Sequence, residues 1–372
     1  MTRLQKLLAV ALAVKVAVVV LIVAGHFLFP FHEGAYWSNF VYPFDEDPGL
    51  RSAFKTWDGN HYLFLADNGY QPSHISNAYY PLLPLAMRLL RPLALGDGLV
   101  AGLLVSIACC LGAVAFLYLL VKDTHGEDVA WRAGLCFLAF PTSFYTGLVY
   151  TESLFLLLAI GLFWFLRRGW TLPALLFSFA LPLTRPTGLL VALPAVVATF
   201  LQEPGWRPTA RKILVPVAFA LGFATYLAIM ALSTGDPFAG FEAQRVFLAS
   251  NSIGNLLHPV DWFVSNYVTV QLTLNGFTTS ILNRACFALF IVAAALCARS
   301  LDRSLLVYTL VVGVVPAMSG NMTSYIRYVA VVFPLFICLA ARLERRVALW
   351  LVPSFALQAV AVLVHASNRW IA

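Results

Sequence analysis

One stretch of the 372-residue chain concentrates the side chains that can do chemistry. It runs Trp57-Asp58-Gly59-Asn60-His61-Tyr62, then Gly69-Tyr70, then Tyr79-Tyr80-Pro81-Leu82-Leu83-Pro84. A carboxylate such as Asp58 can accept a proton from a sugar hydroxyl as that hydroxyl attacks an activated sugar. Asp58 also precedes a helix-like run, 59–67, that ends at Asn68-Gly69. There it is equally suited to cap the helix, and capping hydrogen bonds weaken a base. His61 lies three residues on, on the same helical face. It is placed to orient Asp58, to bind phosphate, or simply to face solvent. Trp57, Tyr62, Tyr70, Tyr79 and Tyr80 form an aromatic cluster. Such rings mark bilayer interfaces, and they also stack on sugars and prenyl chains.

Three further spots carry charge at the edges of apolar runs. Tyr150-Thr151-Glu152-Ser153 opens one run, and Glu152 suits the first turn of a helix or the wall of a cavity. Thr184-Arg185-Pro186-Thr187-Gly188 and Ser324-Tyr325-Ile326-Arg327-Tyr328 each place one arginine at such an edge. Each arginine either snorkels to headgroups or clamps a phosphate with its planar fork. The second long polar stretch holds Glu242, Gln244, Arg245, His258 and Asp261, too dispersed for roles to be assigned.

The rest of the chain must position these groups, and its composition says in what medium. Hydrophobic residues are 61% and charged residues 11%, with mean hydropathy +0.83. Soluble domains carry about 25% charged residues, so the expected class is an all-α polytopic membrane protein. Apolar runs predict about 11 spans, at 7–29, 98–121, 131–146, 150–166, 171–183, 188–201, 212–232, 284–298, 303–318, 326–341 and 347–366. The 171–201 pair reads either as two short spans or as a re-entrant hairpin. Its Arg185-Pro186 break points to a cavity, since irregular backbone at depth needs protein or water beside it. Residues 78–95 read as an interfacial helix.

The formal charge of +7 does not point to nucleic acid here. With the N-terminus cytoplasmic, 14 Lys and Arg, Arg207 among them, fall in inside segments and 9 in outside ones, leaving Lys15 within the first span. Lys15 either snorkels or faces the bundle. Both long loops, 30–97 and 233–283, are then extracytoplasmic, and 11 of the 17 acids lie on that side. Asp45-Glu46-Asp47 reads as a solvated turn. The six cysteines lie in apolar runs without metal or redox spacing, and no phosphate loop or metal-ligand motif occurs.

The residues from Trp57 to Tyr62, with Ala66, Gly69-Tyr70 and Ala78 to Leu85, resemble the first-loop signature of the PIG-V family, the GPI mannosyltransferase II-like proteins and their bacterial relatives. Tyr150 to Phe155, Thr184 to Gly188, and Arg327-Tyr328 with Phe333-Pro334 resemble later signatures of that family, in order. Tyr79-Tyr80 stand where phenylalanines are expected, and Pro186 stands where a small polar residue is usual. The resemblance implies a GT-C-type glycosyltransferase forming a single domain over 1–372. Its long first extracytoplasmic loop bears the catalytic acid, which falls on Asp58. It implies inverting transfer of mannose from a polyprenyl-phosphate-mannose donor to a lipid-linked or glycan acceptor, in a bacterial plasma membrane, with no cofactor and no metal ligand. Arg185, Arg327, His61 and Tyr328 are expected at the donor phosphate. Trp57, Asn60, Tyr79, Tyr80 and Glu152 are expected to line the cavity. Two alternatives stand beside this: another prenyl-linked sugar, or a lipid or solute transporter. Ionisable groups on one face, rather than at mid-membrane, favour the enzyme.

Overall fold

Apolar runs of this length bury their backbone polar groups only by closing helices on themselves. A computed structural model describes residues 1–203, 205, 209–247 and 252–371. Among these residues the chain is helical, without a strand, and has one isolated bridge between Thr273 and Ser280. Arg207 lies outside the described residues.

Helix α1 (Arg3–Leu28) starts at a capping box in which Thr2 and Gln5 exchange hydrogen bonds. The single turn α2 (Glu33–Trp37) follows, then α3 (Asp58–Asn68) and α4 (Leu82–Leu90). Nine residues make α4 about 14 Å long, too short to cross a bilayer. It buries Leu83 and Met87 and exposes Leu85 and Leu89, as fits a helix lying along an interface. Asp97 caps α5 (Gly98–His125) by accepting from the Leu99 and Val100 N–H groups. Helices α6 (Glu127–Ala139) and α7 (Glu152–Arg168) pack on α5. Then come the short α8 (Thr171–Ala180), α9 (Pro186–Leu190) and α10 (Ala192–Gln202), and the long α11 (Ala210–Thr234). The second long loop carries α12 (Ala239–Phe247) and α13 (Pro259–Phe263). The chain closes with α14 (Ile281–Cys297), α15 (Arg303–Met318), α16 (Tyr325–Val329), α17 (Pro334–Leu343) and α18 (Ala348–Ala366).

Helices α1, α5, α11 and α18 are long and apolar enough to cross a membrane. The protein is an all-α polytopic membrane protein, and the other predicted segments fall on shorter helices. Two of these are cut short or divided beside a proline. The 131–146 run stops at Ala139, because Pro141 follows and cannot continue a helix. The 326–341 run divides into α16 and α17, with Pro334 as the first residue of the second. The 171–201 segment is broken by a 3-10 turn at Leu181–Leu183 and by extended backbone at Arg185. Pro186 then opens α9 at the position where its missing N–H costs nothing.

The buried amines of Lys15 and Lys55 find partners. Lys15 faces the bundle and is 1% exposed, donating to the Ser143 carbonyl at 3.0 Å and the Thr146 hydroxyl at 2.6 Å. All six cysteines are free. Glu46 is not merely solvated: it pairs with buried Lys55.

Gly188 sits where α9 turns against the 3-10 segment, and a Cβ there would lie 1.9 Å from the Leu181 carbonyl oxygen. Gly188→Ala is expected to destabilise the fold by about 1–3 kcal/mol, the usual cost of overpacking. Gly34→Ala, with nothing nearer than 4.0 Å, is the neutral control. Thermal unfolding of both variants in detergent checks this.

Candidate active site

Asp58 is the first residue of α3, not its cap. The cap position is Trp57, at φ 57° and ψ −117°, where no side chain bonds the helix end. Positive φ at a bulky residue is strained and costs on the order of 1–3 kcal/mol. The Asp58 carboxylate makes its bonds outside its own helix. Its Oδ2 lies 2.8 Å from Arg327 Nη1, and its Oδ1 accepts the Tyr79 hydroxyl at 3.2 Å.

Arg327 comes from α16, a five-residue helix set by its surroundings. Ser324 takes the left-handed conformation at φ 59°. The Asn283 side chain accepts the Ile326 N–H at 3.0 Å, and Thr142 donates to the Ile326 carbonyl at 2.9 Å. Tyr325 is buried against Phe287 and Phe290 and donates to the Gly313 carbonyl. These contacts drive Arg327 inward, over the rings of Tyr145, Tyr150 and Tyr328 at 5.2–5.6 Å.

A second acid completes the group. Glu152, the first residue of α7, offers Oε1 to Arg327 Nε at 3.3 Å and to Arg185 Nη1 at 3.5 Å. The first is an ion pair without hydrogen-bond alignment, so Arg327 Nε has no hydrogen-bond partner. Glu152 Oε2 is buried and has none either. Arg185 lies over Phe155 and Tyr328 at 5.6 and 5.2 Å. Side-chain exposures are 22% for Asp58, 8% for Arg327, 2% for Glu152 and 10% for Arg185. Two carboxylates and two guanidiniums thus share one poorly solvated site with no net formal charge. Removing one partner of a buried pair costs roughly 3–5 kcal/mol, because the other charge is stranded.

These four groups line one cavity of about 210 Å³. Trp57, His61, Tyr79, Tyr80 and Tyr328 also line it, and Asn60 does not. Asn60 is turned away, accepting the Tyr42 N–H at 3.2 Å. His61 is sandwiched between Phe40 at 4.5 Å and Tyr79 at 4.4 Å, with Nδ1 2.9 Å from the Ser76 hydroxyl. Tyr80 stacks on Tyr226 at 4.4 Å. Burial, and then the Asp58 charge, hold the Tyr79 hydroxyl well above the usual tyrosine range, so it stays protonated and donates.

Some lining residues have no role in the sequence reading. Gln244 and Phe247 reach the cavity from α12, where Gln244 donates to the Ala78 carbonyl at 3.2 Å. Phe247 meets His61 edge-on at 5.6 Å. Trp370, near the end of the chain, packs edge-on against Trp57 at 4.9 Å. Among the described residues, no three or more His, Cys, Asp or Glu side chains gather as metal ligands do.

Fold and site together define a helical membrane protein with a charge-balanced, aromatic-walled cavity. Residues 47–202 match the family model described as mannosyltransferase (PIG-V), which bears out the resemblance over that stretch. Asp58, Glu152 and Arg185 fall inside the match, and Arg327 falls beyond it. Human GPI alpha-1,6-mannosyltransferase 2 is 32% identical over 208 residues, covering 52% of this chain and 40% of that protein. The rat protein of the same name is 31% identical over 210 residues, with the same coverage. The matched stretch therefore spans less than half the length of these curated relatives. Among solved structures, the Archaeoglobus fulgidus oligosaccharyltransferase tethered to an acceptor peptide aligns with TM-score 0.47 at 12% identity. That alignment covers 96% of this chain and 55% of the other.

Burial lowers the His61 imidazole from 6.5 to about 3, against a smaller opposing pull from Asp58. His61 is therefore neutral in the folded protein near neutral pH. The unfolded chain takes up a proton as pH falls below 6.5, so stability drops from there towards pH 3. His61→Phe keeps the stack and removes this titration. Melting temperatures in detergent should fall less between pH 6.5 and 4 for the variant than for wild type.

Proposed function

We propose that the chain is an inverting, GT-C-type mannosyltransferase. It takes mannose from a polyprenyl-phosphate-mannose donor and passes it to a lipid-linked or glycan acceptor on the extracytoplasmic face, with the N-terminus cytoplasmic. The observation that carries this reading is the meeting of Asp58 with Arg327, Glu152 and Arg185 in one cavity. The PIG-V match over 47–202 and the charge bias of the loops support it. On this reading 1–372 act as a single transferase domain.

The chemistry divides among the residues. Asp58 takes the proton from the acceptor hydroxyl. That oxygen attacks C1 of the mannose, the C1–O bond to phosphate breaks, and polyprenyl phosphate leaves with the bonding electrons. Attack opposite the leaving group inverts C1. Arg327 and Tyr79 hold the two Asp58 oxygens and fix the direction of the carboxylate. Arg185 has one long contact to an acid and otherwise faces rings, so its fork has donors for the leaving phosphate. Tyr328 lies beneath both guanidiniums as a platform. The open Glu152 Oε2 is an acceptor for a sugar hydroxyl. Trp57, Tyr79 and Tyr80 wall the sugar.

Purified protein in lipid, given radiolabelled polyprenyl-phosphate mannose and an extract of host lipids and glycans, should transfer label to a new product. Asp58→Asn should lose about 10²–10⁴-fold of that rate, the range for a positioned general base. Undiminished transfer by Asp58→Asn would remove Asp58 from the chemistry. Transfer from another prenyl-linked sugar, with none from mannose, would change the donor.

The arginines separate kinetically. Arg185→Lys should raise the donor KM about tenfold or more with a smaller fall in kcat. Arg327→Lys should lower kcat chiefly, because it loosens Asp58. Steady-state kinetics with varied donor check both.

A further inference from the structure

We propose that a second cavity, around Arg284, binds a phosphodiester monoanion. The cavity measures about 420 Å³ and is lined by Trp262, Asn266, Val270, Thr278, Arg284 and Asn321, among others. It lies outside residues 47–202, and nothing in the candidate active site uses it.

Arg284 is 4% exposed. All 17 acids of the chain are among the described residues, and none of their ion pairs includes Arg284. The other deeply buried arginines, Arg185 and Arg327, both meet carboxylates. Arg284 instead has neutral oxygens. Its Nε donates to the Asn266 carbonyl, and Nη1 donates to the Ser280 carbonyl at 3.0 Å. Nη2 donates to the Thr278 carbonyl at 3.1 Å and to Asn266 Oδ1 at 3.4 Å. Of five N–H groups, one on Nη1 remains. A lysine among neutral partners can shed its proton; a guanidinium cannot. Carbonyls satisfy the hydrogen bonds and leave the charge, which is costly to bury alone.

The cradle is fixed. Asn266 Nδ2 donates to the Trp262 and Gly320 carbonyls at 3.0 and 3.3 Å. The Trp262 indole donates to the Ala317 and Gly320 carbonyls at 3.1 and 3.0 Å. One fixed positive charge suits one negative charge. Asp261 and His258 line the same cavity, 82% and 69% exposed, and the Asp261 carboxylate disfavours a dianion. A phosphomonoester is largely dianionic at neutral pH, whereas a phosphodiester carries a single charge. The walls of Trp262 and Val270 suit the apolar part of such a molecule. The cavity also adjoins the candidate active site: Gly320 and Asn321 line one, and Thr323 and Ser324 line the other. Thr278 and Phe277 divide in the same way.

Binding is read without turnover, so this proposal and the transferase reading fail separately. The full chain in neutral detergent is titrated by calorimetry with dihexanoyl-phosphatidylglycerol, with glycerophosphoglycerol, and with dihexanoylglycerol, which lacks the phosphate. The phospholipid should bind saturably and dihexanoylglycerol should not. Arg284→Gln should weaken binding at least tenfold, and Asp261→Lys, at an exposed rim position, should tighten it several-fold. Equal binding of glycerophosphoglycerol makes the ligand a soluble phosphodiester; binding of the phospholipid alone makes it a lipid headgroup. No binding by wild type, equal binding of dihexanoylglycerol, or affinities unmoved by both substitutions would overturn the proposal. Should Arg284→Gln not fold, an unchanged affinity in Asp261→Lys overturns it alone.

Discussion

Charge is costly to bury in this medium unless it is balanced, and the cavity around Asp58 is built on that constraint. Asp58 and Glu152 face Arg327 and Arg185 with little water to screen them. Attraction at such separations is several times stronger than in bulk water. It also makes each charge dependent on the others, because any one of them alone would be expensive to keep. The arrangement leaves two openings. Glu152 Oε2 lacks a partner, and Arg185 is only loosely held. A site closed on itself offers nothing to a substrate; this one keeps an acceptor and a donor in reserve.

The backbone that supports the site is irregular wherever a charged residue enters. Trp57 and Ser324 take positive φ, Arg185 is extended, and the stretch between α6 and α7 is buried without being a regular α-helix. Prolines 141, 186 and 334 end or begin helices beside these points. Long helices such as α1 and α5 give the framework, and short broken ones carry the chemistry. Irregular backbone inside an apolar bundle survives only against protein or a cavity, so the breaks and the cavity imply each other.

Much of this was legible in the sequence. Composition gave the class, Asp58 stood out within the first long loop, and Glu152, Arg185 and Arg327 could each be picked out as charge at the edge of an apolar run. The resemblance of the first loop to PIG-V proteins placed Asp58 at the centre, and the match over 47–202 bears out the resemblance. Pairing was not legible. Asp58 and Arg327 are 269 residues apart, and no local pattern says that they touch. The capping role open to Asp58 gave way because Asp58 is the first residue of the helix and its carboxylate bonds Arg327 and Tyr79 instead. The resemblance put Asn60 in the cavity wall, yet one position along a helix is enough to turn a side chain to another neighbour. Gln244 could be given no role, and Phe247 went unmarked, because α12 is short and its partners lie far away in sequence.

The most direct measurement is a double-mutant cycle on Asp58 and Arg327, read as kcat/KM for transfer from polyprenyl-phosphate mannose. Residues that act as one unit are grossly non-additive. If Arg327 works by holding Asp58, then Asp58→Asn with Arg327→Gln should be little slower than Asp58→Asn alone. If the two losses instead multiply, the residues act independently, and the charge-balanced cluster is not the functional unit.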